Sequence, residues 1–373
     1  MNPGIPQPDP LPLAAPPAVF LLLLLLTFTL HLLPMNAVLG GSIIGAVARW
    51  RGRQGRAHHA ELARLIGKLL PVTMAAAVTL GVAALLFLQV LYGRVFFSSS
   101  VVMASFWIAV IPLLIVAYYA AYGVAFDRRG GTGRPALAWL IVAIVLGVAF
   151  IYTNNMTLML RPGAQHALYA QASHGLHWNS GDPTRLPRYL HMLAGAIAVA
   201  GLSVALIGFF RRRVSPEFGI WAMAYGCRWF VLATAANFLI GMWLLSALPE
   251  ATMALFVGGS GYATVALALG IVAAIDALAF ALGVGQSPEP SRLLIGAWIA
   301  TIVAVALMVL SRDSVRRSML DAAGFQPVNW ASPQWGPIAI FAVLLAVAIV
   351  LVAWMVTALV KAPSPQARGV AQV

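Results

Sequence analysis

From Val19 to Ala48 the chain carries no Asp, Glu, Lys or Arg, and the same holds from Ala339 to Leu359. Runs of about 20 apolar residues match the length a helix needs to cross the hydrocarbon layer. In lipid every backbone N–H and C=O has to be satisfied within its own segment, so such runs cross as helices. Composition agrees with this reading. Hydrophobic residues make up 61% of the 373 positions and charged residues 9%, whereas a soluble domain carries about 25% charged residues. An ordinary soluble enzyme is excluded, and the expected fold is an all-α polytopic membrane protein.

Nine apolar segments separate at polar breaks, near 18–48, 69–92, 101–126, 136–160, 188–210, 219–248, 261–285, 292–311 and 337–360. Because the number is odd, the two termini fall on opposite sides, and alternate loops can be compared for basic residues. One set of loops holds 15 of the 23 Lys and Arg, the other holds 7, and Arg228 lies inside a span. The positive-inside rule assigns the richer set to the cytoplasm. The N-terminus is then outside and the C-terminus inside. The formal charge of +13 therefore reads as a topology signal. Without a basic stripe interleaved with aromatics, no nucleic-acid partner is expected, and the first partner is the lipid bilayer.

Residues 1–17 carry seven prolines and neither Lys nor Arg. They lack the basic start of a signal peptide and read as a disordered arm. Residues 18–360 form the membrane domain and 361–373 a cytoplasmic tail. Cys227 is the only cysteine, so the Cys-x-x-Cys-His attachment of a c-type haem is absent.

Charged groups inside spans cost about 3 kcal/mol each at the bilayer centre and mark function or pairing. Arg228 and Asp276 both lie about 13 Å from the inner end of their spans at 1.5 Å per residue. A buried ion pair between them is expected. Among the histidines, His58 and His59 read as solvated, and His166, His174 and His177 share one outer loop, a spacing open to metal binding or to none. His31, before Pro34, and His191, in Pro187-Arg188-Tyr189-Leu190-His191-Met192, lie inside spans. A buried imidazole needs a partner, and haem iron is one candidate beside ordinary core hydrogen bonding. Gln89, Asn154, Asn155, Met156 and Met159 collect at a similar outer level. Arg312, Arg316 and Arg317 are placed in an outer loop spanning 312–336 and read as a docking surface.

The order of these landmarks resembles subunit I of the cytochrome bd-type quinol oxidases. The matching elements are His31 with Pro34 in span 1, Gln89-Val90-Leu91-Tyr92-Gly93 ending span 2, Asn155 through Pro162 ending span 4, His191 opening span 5, and Ser311-Arg312-Asp313-Ser314-Val315 ending span 8. The resemblance implies a nine-helix bundle that binds haem b, one or two copies, with iron held by His191 and His31. Met156, Met159 and Met192 are the candidates for a second axial ligand, and Gln89 and Asn155 form a polar site. It further implies quinol as a substrate, a second membrane subunit, a periplasmic cytochrome as redox partner and an inner-membrane location. The chain departs from the family at Gln89, at Trp107 or a neighbour, and at Val309, where glutamates are usual. Span 7 offers no methionine, and the outer connection near 249–260 is short. Since carboxylates are the usual intramembrane proton relays, the implied role is an electron-transfer subunit of a quinol-linked oxidoreductase rather than an oxygen reductase. A haem-less structural or assembly subunit is the alternative.

Overall fold

The computed structural model describes residues 5–6, 11–171, 174–285, 290–328 and 330–361. Residues 1–4 and 7–10 of the 1–17 arm, and all of the 361–373 tail after Lys361, fall outside the described residues. The protein is all-α, with helices α1 (Pro17–Arg53), α2 (Ala57–Val102), α3 (Ala104–Ala125), α4 (Pro135–Leu158), α5 (Pro162–Gln171), α6 (Arg185–Arg211), α7 (Pro216–Ser246), α8 (Glu250–Ala254), α9 (Gly261–Gly283), α10 (Pro290–Ala322) and α11 (Trp335–Lys361). Nine of the described helices are long and apolar enough to cross a membrane. All nine expected spans lie on these helices, so this is a multi-pass membrane protein. The two sides are named here after the charge count.

Several helices start at proline, whose fixed φ suits the first turn and whose missing N–H would have no partner there: Pro135 opens α4 and Pro216 opens α7. Pro34, Pro71 and Pro112 sit inside helices, which neighbouring helices make tolerable in membranes. The helices outrun the apolar segments that predicted them. α2 has 46 residues and absorbs both the inner basic segment and the outer Tyr92–Val102 stretch, with a kink at Tyr92 (φ −125°, ψ 23°). α10 likewise runs on through Arg312, Arg316 and Arg317 to Ala322. Hydropathy marks where lipid contact ends, whereas the helix continues as long as protein packing satisfies it.

One unit comprises residues 1–9 and 21–327. Within it, α1 to α4 share a core of Leu70, Met74, Ala117, Ala121 and Ile141. A second core joins α6, α7, α9 and α10 through Leu202, Met223, Phe230, Ala277 and Leu294. α6 and α7 approach closely because glycines face each other: a Cβ on Gly226 would stand 2.4 Å from the Gly201 carbonyl oxygen. Small residues of this kind let membrane helices pack backbone to backbone. On the inner side Arg49 of α1 donates to Asp127 at 2.6 Å and to the Gly133 carbonyl. This fastens the α3–α4 turn to α1. Gly131 in that turn (φ +94°) has room only for hydrogen, since a Cβ would meet the Ala60 carbonyl at 2.1 Å.

The second unit comprises residues 10–20 and 328–373. In it Leu13 donates to the Trp330 carbonyl, and Ser332 and Gln334 donate to the carbonyls of Leu13 and Ala14. The described side chains of α11 are exposed apart from partly buried Ile338, as suits a helix in lipid.

Candidate functional site

Three arginines meet near the outer ends of α6 and α10. Arg188, Arg312 and Arg316 line one cavity with Leu88, Met156, Met159 and Leu160. The cavity measures about 10 Å³, at the lower limit for a single water. Arg316 is buried, Arg188 and Arg312 are partly buried, and the Nε atoms of Arg188 and Arg316 are buried without a hydrogen-bond acceptor. Two aromatic rings carry part of the charge: Arg312 lies over Phe28 at 4.5 Å and Arg316 over Tyr92 at 4.6 Å. Asp313 is the carboxylate in contact, paired with Arg316 and, at 2.9 Å, with Arg317. The positive charge is therefore in excess.

The expected docking loop 312–336 is thus corrected. Helical continuation of α10 turns Arg312 and Arg316 inward, and only Arg317, with 46% of its side chain accessible, remains outward.

The two intramembrane histidines flank this cluster. His31 lies 6.3 Å from Phe28, the ring beneath Arg312. Its Nδ1 stands 2.9 Å from the Ala77 carbonyl. A carbonyl only accepts, so Nδ1 carries the proton and Nε2 keeps its lone pair, the arrangement in which histidine binds metal. The ring fits because position 81 is glycine: a Cβ there would come within 2.7 Å of His31 Cε1. His191 lies one turn along α6 from Arg188 and beside the Asn237 backbone, with no acceptor at hydrogen-bond distance from its buried Nδ1. It stands against Gly241 of α7, where a Cβ would lie 3.3 Å from its Cε1. Asn237, one turn earlier on α7, leaves its own Oδ1 buried and unpartnered.

The other expected site residues divide. Met156 and Met159 reach the cluster, whereas Met192 packs into the α1–α4 core. Asn155 is fully buried and committed to α2, accepting from Ser99 at 2.9 Å and donating to Ser100 at 3.2 Å. Gln89 is partly buried and does not line the cavity that its neighbour Leu88 lines. Arg228 and Asp276 do not meet: both are exposed on the chain surface, and no salt bridge joins them among the described residues. His59, expected in solvent, is buried against Trp221 and Tyr225. His166 and His174 are exposed and His177 is partly buried. No described group of three His, Cys, Asp or Glu side chains could hold a metal ion.

Sequence reasoning missed Asn237 and placed Arg312 and Arg316 outside the site. Asn237 is visible as a single amide within an apolar run. The arginines carry no such signal, because only helix continuation brings them in.

A folded cap closes the outer side. Gln165 of α5 donates to the carbonyls of Val95 and Leu158. Asn179 donates to Thr157 and Asp182, and Asp182 accepts from the Thr184 N–H and hydroxyl. Thr184 in turn lies 3.5 Å from Arg188. Buried polar groups in a connection are tolerable only when satisfied, and Gln165, Asn179, Asp182 and Thr184 each have a hydrogen-bond partner.

No family model and no curated protein matches the sequence. Among solved structures, a chain of the bd oxidase from Geobacillus thermodenitrificans is similar, with a TM-score of 0.74 and 15% identity over 94% of this chain and 99% of that one. The two chains share their fold along nearly their whole lengths, so the expected bd-type helical architecture is present.

Proposed function

We propose that the protein is a membrane electron-transfer subunit that binds b-type haem near the outer face, in one or two copies, and links the quinone pool to a periplasmic redox partner. One observation carries this reading: two imidazoles inside the membrane flank a cluster of arginines whose positive charge exceeds that of Asp313. A ligand that satisfies both features needs a coordinating metal and anionic groups, which iron porphyrin combines. His31, held as the tautomer with a free Nε2, and His191, with an unpartnered nitrogen, are the axial candidates. Met156 and Met159 offer thioethers beside them, and Arg188, Arg312 and Arg316 would balance the charge of its carboxylates. Haem supplies a one-electron couple; the chain supplies ligation, charge balance and exclusion of water. By likeness to the bd oxidase fold, the protein belongs in the inner membrane beside a second membrane subunit, with quinol as the electron donor and a periplasmic cytochrome as the acceptor.

A specific observation favours a second reading, a haem-less structural or assembly subunit of a redox complex. The cavity of about 10 Å³ admits a macrocycle only if Leu88, Met156 and Met159 swing aside. A reduced-minus-oxidised visible spectrum of the purified protein separates the two. A b-type band that is lost in His191→Ala is expected; stable protein with no band selects the second reading.

A further inference from the structure

The two intramembrane charges that do not pair within the chain are both exposed on its surface, on the neighbouring helices α7 and α9. On α7 the exposed positions Arg228, Leu232, Leu239 and Met242 form a continuous helical face, and on the adjacent α9 so do Val265, Leu269, Val272 and Asp276. The packing register sets their depths. Gly201 of α6 lies against Gly226 and Phe230, so Arg228 is level with Leu202. Arg212 donates to Ser291 at 2.9 Å, which ties the antiparallel α6 and α10 so that Leu202 is level with Thr301. Gly296 faces Phe280, and Gly270 faces Leu307 and Met308, which places Thr301 level with Ile275 and Asp276. The arginine and the aspartate therefore lie at one depth, both open to lipid.

We propose that this α7–α9 face is a homodimer interface in which Arg228 of each copy pairs with Asp276 of the other. A two-fold axis along the membrane normal preserves depth and joins residue i to j and j to i. It satisfies both charges at once only if they are level and of opposite sign, and both conditions hold. Charged groups left in lipid are expensive, and a second copy of the chain carries the complement of each.

Charge reversal tests the pairing between copies. The native protein in nanodiscs is expected to be a dimer by light scattering. Arg228→Asp alone and Asp276→Arg alone each set like charges opposite one another and are expected to weaken self-association at least about tenfold. Co-expressed with different tags, the two variants are expected to form a one-to-one dimer, because each supplies the charges the other needs. An exchange within one chain cannot produce that result. A monomeric native protein, single variants that remain dimeric, variants that fail to combine, or a native face occupied by a different membrane chain would each overturn the proposal. Should the charge variants not fold, Leu232→Cys and Val272→Cys keep both charges. Co-expressed, they are expected to form an inter-chain disulfide, and its absence counts against the interface.

Discussion

Asp313→Asn offers a sharp test of the arginine cluster. Asp313 and Arg316 have side chains 0% and 8% accessible, and the substitution leaves Arg316, beside Arg188 and Arg312, without its carboxylate. Breaking a buried ion pair by removing one partner costs about 3–5 kcal/mol; about 3 is appropriate here, since Arg317 is half-exposed and loses little. If anionic groups of a bound haem face the same arginines, they supply the missing charge. The cost should then fall by about half in haem-replete protein. By linkage, Asp313→Asn is expected to bind haem more tightly, by about tenfold for each 1.4 kcal/mol recovered. Arg312→Gln is expected to act in the opposite sense, losing a charge-assisted contact of about 1.5–3 kcal/mol in haem-bound protein while relieving repulsion without it. Cys227, the single cysteine, is buried, so a thiol-reactive fluorescent dye reports unfolding of haem-replete and haem-depleted samples alike. Equal destabilisation of Asp313→Asn with and without haem would refute the idea that the cluster faces an anionic ligand.

Other consequences are accessible to the same assay. Burial alone would raise the Asp127 carboxyl, but hydrogen bonds from the Arg129 N–H, the Arg49 guanidinium and the Gly133 N–H hold it below the usual carboxylate range. A depressed folded-state value contributes stability above the unfolded pKa of about 3.9, and that stability is lost as the pH falls through the folded value. Acid melts should show this loss in native protein and not in Asp127→Asn. Gly226→Ala drives a methyl group to 2.4 Å from the Gly201 carbonyl, and an overpacking loss of about 1–3 kcal/mol is expected as a lower melting temperature. Asn155→Leu leaves Ser99 without the side-chain partner it reaches across α2 and α4, and about 1–3 kcal/mol of stability should be lost without any change in Arg188 or His191.

The membrane class and the nine spans were legible because lipid imposes one requirement, a long apolar helix, that composition records directly. The reach of α2 and α10 was not, because Ser98 to Ser100 and Arg312 to Arg317 are polar and look like loop; their partners, Asn155 and Asp313, decide otherwise. His31 and His191 stood out as imidazoles in apolar runs. Their common neighbour, the arginine cluster, depends on residues 188 and 312 meeting, which no local pattern encodes. Arg228 and Asp276 show the complementary limit. Their matched depth could be counted along the chain, but the direction each side chain faces follows from helix rotation, which their own sequence positions leave open.

The cluster joins α1, α2, α4, α6 and α10, so its parts leave the ribosome far apart in time. Between His31 and Arg312 lie 280 residues, about 15–60 s of synthesis at 5–20 residues per second. Until α10 inserts, His31 and Arg188 lack the wall that Arg312 and Arg316 provide. A large ligand that arrives before α10 inserts meets an open site, whereas one that arrives afterwards meets a cavity of about 10 Å³.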